Sequence, residues 1–598
     1  MNLPKISILF AAALAMTSCG GDGGSGSPDT PPPTDPLAFY KNQTVNWGTC
    51  SQYFADAGSP QVNTELAKLG GRVQCADIKA PLDYGHPDGL QVSVSMLRVQ
   101  TAESPEKKPN LFLNPGGPGV DGQKYSLNLY MLLANGSGDS ALGTKYKELS
   151  NSYNFVGFSP RGVGASTNIV CAGNELVYHT DDTKWGENAP NIQRLTDAAR
   201  YTASNCQKNP VSDYIHTDAT ARDMDLMRHL LGDEKLHYYG ISYGTWLGFW
   251  YAGAFPLRVG PMVLDSNMNF SKTIHDASIS YTEGQIHTFL NHIAPYAARH
   301  DGVLHMGTSA EAIVNDLNTI GHEINQALIS VGNPFRAEAD EIPGYLSTVK
   351  AAIETQKLAD QGKTLDEIGV ILTSGEQIAD KELDAVFKNT VWSLLGTIRQ
   401  RQNPNFYSVF DAFHLDNSDS VWNTVVCNDE PLRNKDQTFW IDTAFSQAKT
   451  LPIASTSVAK QPCLYWNHKT NAIKPSMDSL KDAALLMVQS QFDVPTPLSG
   501  AMETFERLPA TKMVRILNEG AHGLMVYQTE CVDLTVMDYL LGKAPQRRLT
   551  ECQGKPLPLD QQPLVDDASK STTRPASHFR DPEMAESLIA SLRKATHP

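Results

Sequence analysis

The chain lacks a second long apolar run. The apolar run Ile6 to Met16 is too short to span a bilayer, and no other stretch of its 598 residues is long and apolar enough for a membrane-spanning helix. It lacks a basic block: 49 Lys and Arg stand against 65 Asp and Glu. The formal charge of −16 would repel nucleic acid phosphates, which excludes nucleic acid as a partner. None of its nine cysteines shows Cys-x-x-Cys spacing, which argues against zinc and dithiol redox chemistry. Nor does it lack apolar residues, as disordered chains do. Hydrophobic residues make up 41% and aromatics 8%, and the length suffices for a large core with an inserted unit.

What is there begins with an export signal. Lys5 and the apolar run Ile6 to Met16 read as a signal peptide over residues 1–18. Met16-Thr17-Ser18-Cys19 resembles a bacterial lipobox, in which Cys19 is lipidated and becomes the mature N-terminus. Residues 19–36 then form a Gly/Ser/Pro tether, flexible at first and stiffer through Pro31-Pro32-Pro33. The expectation is an exported protein, lipid-anchored in a bacterial envelope membrane and otherwise periplasmic or secreted. Gly20 is not the aspartate that resembles an inner-membrane retention signal, so the outer membrane is favoured. The anchor would be the sole membrane contact.

Eight cysteines remain after Cys19, and an even count in an exported chain reads as disulfides. Eight cysteines allow about 105 pairings. Neighbours in sequence close the shortest loops, which favours Cys50–Cys75, Cys171–Cys206, Cys427–Cys463 and Cys531–Cys552. Each would stabilise by about 2–4 kcal/mol.

The chain is organised around Leu236 to Gly248. A short aromatic run leads into Gly240-Ile241-Ser242-Tyr243-Gly244, and a helix-compatible apolar run follows. Gly-x-Ser-x-Gly alone is a weak pattern, since a glycine-rich turn would serve as well. A strand, a sharp turn and a helix around it are what a nucleophile elbow needs, with glycines where a Cβ would clash. Upstream, Asn110 to Asn114 reads as a strand entering Pro115-Gly116-Gly117-Pro118-Gly119. Such a loop exposes N–H groups, and its place before the elbow is where an α/β-hydrolase builds its oxyanion hole.

Strand and helix signals alternate through residues 37–270, predicting a mostly parallel sheet covered on both faces. Gln91 to Val99 alternates as a half-buried strand, while 171–206 is polar and loop-rich. Thr217 to Leu231 predicts a helix capped by Thr217 or Asp218. From 271 to 440 the alternation gives way to amphipathic helices at 309–331, 346–361 and 375–400, with no comparable strand. This reads as an inserted helical cap whose aromatics, Trp392, Phe406, Tyr407, Phe410, Phe413 and Trp422, are candidates to line a pocket. The sheet resumes over 441–555, with strands at 483–488 and 512–517 and a helix at 524–541. Residues 556–598 form a tail with a short helix from Glu583 to Ala595.

Acyl transfer by serine needs a base to take the hydroxyl proton and a carboxylate to orient that base. In α/β-hydrolase chain order these run Ser, Asp/Glu, His. Asp493 follows a buried strand by five residues, and His522 lies just past the next strand, between Ala521 and Gly523. Ser242, Asp493 and His522 are therefore the candidate catalytic set. The oxyanion donors are the N–H of Tyr243 and that of Gly116 or Gly117, with Gly117 preferred.

These segments resemble the secreted tripeptidyl aminopeptidases of actinobacteria, relatives of proline iminopeptidase within the α/β-hydrolases. The resemblance is carried by Pro115 to Gly119, Arg161 to Ser166, Asp223 to Arg228, Tyr239 to Thr245, Val263-Leu264-Asp265, Cys427-Asn428-Asp429 and the region of Cys463. It runs from about 40 to 555. It departs at two places: the family has Asp where this chain has Ser159, and Ser-Gly where it has Asp121-Gly122. An aminopeptidase must also hold a free α-ammonium, and the resemblance implies Asp429 for this, with Glu430 beside it.

Together these readings predict an α/β-hydrolase fold with a mostly parallel central sheet and a helical cap. They predict an exported serine aminopeptidase working on free N-termini through an acyl-enzyme, with no metal or organic cofactor. The same triad would serve a carboxylesterase acting on small esters. A non-catalytic binding protein is a third class, which an intact triad argues against.

Overall fold

The computed structural model describes residues 35–50, 59–178, 189–331, 338–403, 410–432, 435–453, 457–467, 472–560 and 577–596. Cys19, the signal and most of the tether fall outside these, as do Phe406, Tyr407 and residues 561–576 of the tail.

One ten-stranded sheet runs through the molecule. Its strands are β1 (Gly48–Thr49), β2 (Val73–Pro81), β3 (Gln91–Val99), β4 (Asn110–Asn114) and β5 (Asn154–Ser159), then β7 (Leu236–Ile241), β8 (Val259–Asp265), β10 (Leu486–Ser490), β11 (Lys512–Leu517) and β12 (Leu549–Gln553). Their spatial order is β1-β2-β3-β5-β4-β7-β8-β10-β11-β12. β1, β2, β3 and β5 pair antiparallel, and from β5 to β12 every pairing is parallel. The central parallel strands β4, β5, β7 and β10 are buried on both faces, as near-continuous apolar runs require. Within β4, Phe112 enters one core while Leu111 and Leu113 enter the other; Tyr238 and Tyr239 of β7 divide the same way. Helices Thr217–Leu230 and Tyr243–Ala254 cover the first face, and Gly122–Ala134, Ala141–Ser152 and Glu530–Leu540 the second.

Three local expectations change. The segment expected to be loop-rich carries β6 (Ala172–Tyr178) and a helix, Ala189–Cys206. β6 pairs antiparallel with β9 (Phe410–His414), a strand inside the region expected to hold none. Each is short, and neither alternates cleanly enough to signal itself. The predicted helix at 524–541 begins only at Glu530. Before it, Val526 and Gln528 hold φ of 60° and 67°, and the Asp533 carboxylate takes the N–H groups of Tyr527, Gln528 and Thr529.

Helices between Ile274 and Gln402 pack around their own core, which includes Ile293, Leu317, Leu346, Val391 and Leu394. The next helix, Asn417–Asp429, does not join it: Val421, Val425 and Val426 pack into the first sheet core. Phe413 is buried there too, whereas Trp392 and Trp422 are 48% and 40% exposed. The C-terminal helix Pro582–Thr596 lies on Gly122–Ala134, with Leu588 and Leu592 in the second core. Four disulfides close Cys50–Cys75, Cys171–Cys206, Cys427–Cys463 and Cys531–Cys552. They suit an oxidising compartment, and so an exported chain. No helix among the described residues is long and apolar enough to cross a membrane.

Candidate active site

Five adjacent strands, β4, β7, β8, β10 and β11, bring their carboxyl ends to one edge of the sheet. That edge is where parallel sheets present functional side chains. β7 ends in the elbow. Ser242 has φ 58° and ψ −123°, a conformation that costs a non-glycine residue about 1–3 kcal/mol. Neighbours hold it there: its N–H donates to the Asp265 carbonyl at 3.0 Å, and its carbonyl accepts from Thr245 N–H at 2.8 Å. The flanking glycines are required by space. A Cβ on Gly240 would sit 2.5 Å from the Gly244 carbonyl oxygen, and one on Gly244 2.7 Å from that of Asn114.

The glycine loop after β4 presses against the elbow. A Cβ on Gly116 would lie 2.6 Å from the Ile241 carbonyl oxygen and 2.9 Å from the Ser242 Cβ. The Gly116 N–H is engaged by the Asn114 side chain at 3.0 Å. Among the described residues, no protein acceptor takes the N–H of Gly117 or Tyr243. This separates the two glycines left open by the sequence and leaves Gly117 as the available donor.

Asp493 lies three residues past β10, closer than expected because the strand runs on to Ser490. His522 lies five past β11. His522 Nδ1 is 3.0 Å from Asp493 Oδ1 and 3.1 Å from Oδ2. Burial disfavours the imidazolium, but the charge and hydrogen bond of Asp493, with the charges of Asp265 and Glu338, outweigh it and raise the His522 pKa. The histidine loop is pinned at both ends. Glu519 accepts the N–H groups of Gly520 and Ala521 at 2.8 and 2.9 Å, and Ser266 Oγ accepts that of Gly523 at 2.8 Å. Beside the loop lies a cavity of about 220 Å³, walled by Ile241, Ala521, Gly523 and the C-terminal helix residues Leu592 and Thr596. The tail is thus part of the site's surroundings, a role the sequence did not signal.

Asp429 is buried beside the first turn after Ser242. Its oxygens accept Thr217 N–H at 2.7 Å, Thr217 Oγ1 at 2.5 Å and Trp246 Nε1 at 3.2 Å. Thr217 Oγ1 also meets the Tyr243 hydroxyl at 2.6 Å, so Asp429 reaches the residue after Ser242 through one threonine. With Thr217 so engaged, His216 caps the helix in its place, its side chain accepting Ala219 N–H. Burial pushes Asp429 up to about 7, against the hydrogen bonds that favour its ionised form. Glu430 is only partly buried. It accepts Ile274 N–H at 2.8 Å, and its pKa is also raised by burial. Lys474, which sequence reasoning missed, stands over the rings of Trp246 and Phe270 at 4.3 and 4.6 Å and faces both acids electrostatically.

The two departures from the family pattern are in contact. Ser159 Oγ donates to Asp121 Oδ1 at 3.1 Å, and Gln123 Nε2 donates to Ser159 Oγ at 2.7 Å. Asp121 also caps the helix that follows the glycine loop, accepting Gln123 N–H at 2.9 Å. Among the described residues, no group of three or more His, Cys, Asp and Glu side chains is arranged to hold a metal ion.

Comparison with known proteins agrees with this geometry. Residues 109–282 match the α/β-hydrolase fold family, and residues 451–569 match the TAP-like protein family. The first match encloses the glycine loop and Ser242, the second Asp493 and His522. The tripeptidyl aminopeptidase of Streptomyces coelicolor is 27% identical over 494 residues, 80% of this chain and 83% of its own. Serine protease Hip1 of Mycobacterium tuberculosis is 23% identical over 515 residues, 84% of this chain and 89% of its own. Carboxylesterase B of the same organism is 24% identical over 524 residues, with the same coverage of 84% and 89%. The chain has the α/β-hydrolase fold, matches the TAP-like protein family over residues 451–569, and is similar to the tripeptidyl aminopeptidases over 80% of its length.

Proposed function

We propose that this hydrolase is an exported serine aminopeptidase. Ser242 Oγ attacks the carbonyl of the scissile bond as His522 takes its proton. Asp493 holds the imidazole and stabilises its positive charge. The N–H groups of Gly117 and Tyr243 receive the developing oxyanion, where each such donor is worth about 3 kcal/mol. His522 then protonates the leaving amine, the acyl-enzyme forms on Ser242, and water releases it by the reverse relay. The observation that carries the reading is the hydrogen-bonded pair of His522 and Asp493 at the same sheet edge as a strained Ser242.

The amine preference rests on Asp429 and Glu430. Of the two, Glu430 is the more exposed and the better candidate to meet a substrate ammonium, with Asp429 as the charge behind it. One observation favours a second reading, a carboxylesterase: Asp429 already accepts three protein hydrogen bonds, so it works in part as an internal strut. Lipidation at Cys19 would tether the enzyme to a bacterial envelope membrane. The deciding assay compares a tripeptide anilide bearing a free N-terminus, its acetylated form and a p-nitrophenyl ester. The aminopeptidase cleaves the first and fails on the second. Equal rates on both anilides, with faster ester hydrolysis, would instead establish the esterase.

A further inference from the structure

His522 faces three buried carboxylates, Asp493, Asp265 and Glu338, and the catalytic scheme uses the first. The second, Asp265, is the last residue of β8. It is fully buried, and it reaches both halves of the site with different groups. Its backbone carbonyl accepts the N–H of Ser242 at 3.0 Å. Its Oδ2 accepts the N–H of Leu524, two residues past His522, at 2.5 Å, and also the Tyr239 hydroxyl from β7. Its Oδ1 accepts Ser266 Oγ at 3.3 Å, and Ser266 Oγ in turn accepts the Gly523 N–H at 2.8 Å. Ser266 is held at φ 58°, the same left-handed region as Ser242.

The elbow and the histidine loop sit on different strands, β7 and β11, with β8 and β10 between them. A nucleophile and its base must keep their register to within about 0.5 Å. Asp265 and Ser266 tie the two loops, fixing Ser242 from one side and Gly523-Leu524 from the other. We propose that Asp265 is a positioning residue that sets His522 against Ser242 and supplies a second negative charge to the imidazolium formed during turnover. The inference rests on the reading of Ser242, Asp493 and His522 as the catalytic set.

The charges around it agree. Asp265 faces His522 and Asp493, and the hydroxyls of Tyr239 and Tyr125; His522 faces Asp493, Asp265 and Glu338. Burial pushes Asp265 up to about 6, with the Tyr239 and Leu524 hydrogen bonds and the His522 charge opposing it. The carboxylate is therefore ionised when His522 works as a base near neutral pH. It raises the His522 pKa, as Asp493 does.

The test is the pH profile of kcat/KM for Asp265→Asn, beside wild type, Ser266→Ala and Ser242→Ala, with thermal unfolding of each. Asparagine keeps the shape and an acceptor for Leu524 but removes the charge. Expected is a fall in kcat of about tenfold or more at nearly unchanged KM, with the acid limb moved down by about one pH unit. An acid limb that stays in place, or a wild-type kcat, overturns the proposal. If Asp265→Asn does not fold, Ser266→Ala decides: it removes one tie to the loop and no charge. A several-fold loss in kcat with the acid limb unmoved supports the positioning role, and a wild-type kcat overturns it. Wild-type turnover by Ser242→Ala would strike the underlying catalytic reading instead, so the two failures are distinguishable.

Discussion

Asp493 meets His522 with both carboxylate oxygens, Oδ1 at 3.0 Å and Oδ2 at 3.1 Å from Nδ1. Oδ1 also accepts the Thr496 N–H at 2.9 Å, so the carboxylate cannot swing away without losing a backbone bond. Asp493→Asn would keep this geometry while offering the imidazole an uncharged partner and disfavouring the working tautomer. The expected result is a loss in kcat of about 10⁴-fold with an unchanged melting temperature. A loss below about tenfold would mean that another carboxylate orients His522.

The pH dependence follows from the same contact. His522 acts as a base only when neutral, and its pKa is raised above the ordinary imidazole value of 6.5. Activity should therefore be lost as pH falls through a value above 6.5, with the limb set by the imidazole and not by a carboxylate. A kcat/KM profile on a neutral ester substrate measures it. An acid limb below 6 would contradict the charge balance around His522, since about half a pH unit is well resolved in such profiles.

Gly116→Ala tests the seat of the oxyanion loop. Gly116 has φ 104°, and its Cβ would lie 2.6 Å from the Ile241 carbonyl oxygen. The loop must move to admit it, carrying the Gly117 N–H with it. Loss of one oxyanion donor costs about 10²–10³ in kcat, and stability should fall by about 1–3 kcal/mol. Steady-state kinetics and a urea melt check both. Near-normal kcat would show that the oxyanion is bound elsewhere.

Ser159 and Asp121 predict an exchange. They touch at 3.1 Å, and the resemblance to the tripeptidyl aminopeptidases implies the acid and the serine in exchanged places across this contact. Ser159→Asp alone sets two carboxylates together in a buried site and should destabilise by about 2–3 kcal/mol. Adding Asp121→Ser should recover most of that loss. A double variant no more stable than the single would show the two positions to be independent. In the structure the pair joins the end of β5 to the cap of the helix that follows the glycine loop.

Much of the fold was legible because its signals are local. The buried runs at Asn110–Asn114 and Leu236–Ile241 are short, apolar and bounded by glycine loops. Ser242, Asp493 and His522 were found from strand ends and chain order, which the sheet then placed at one edge. Asp265 was read only as part of a motif. It ends a buried strand like the others, but its partner Leu524 is 259 residues away and reaches it only through the placement of β11 in the sheet. Lys474 and the docking of the predicted C-terminal helix against Gly122–Ala134 were missed because their contacts join segments hundreds of residues apart, and no periodicity encodes them. The pairing of β6 with β9 spans more than two hundred residues and was equally silent.

The whole mechanism turns on Ser242 as the nucleophile. A fluorophosphonate phosphonylates an activated serine and expels fluoride, and peptide mapping then locates the adduct. The expected result is a single adduct on the peptide carrying Ser242, matching loss of activity, with no labelling and no turnover in Ser242→Ala. An adduct on another serine, or full turnover by Ser242→Ala, would contradict it.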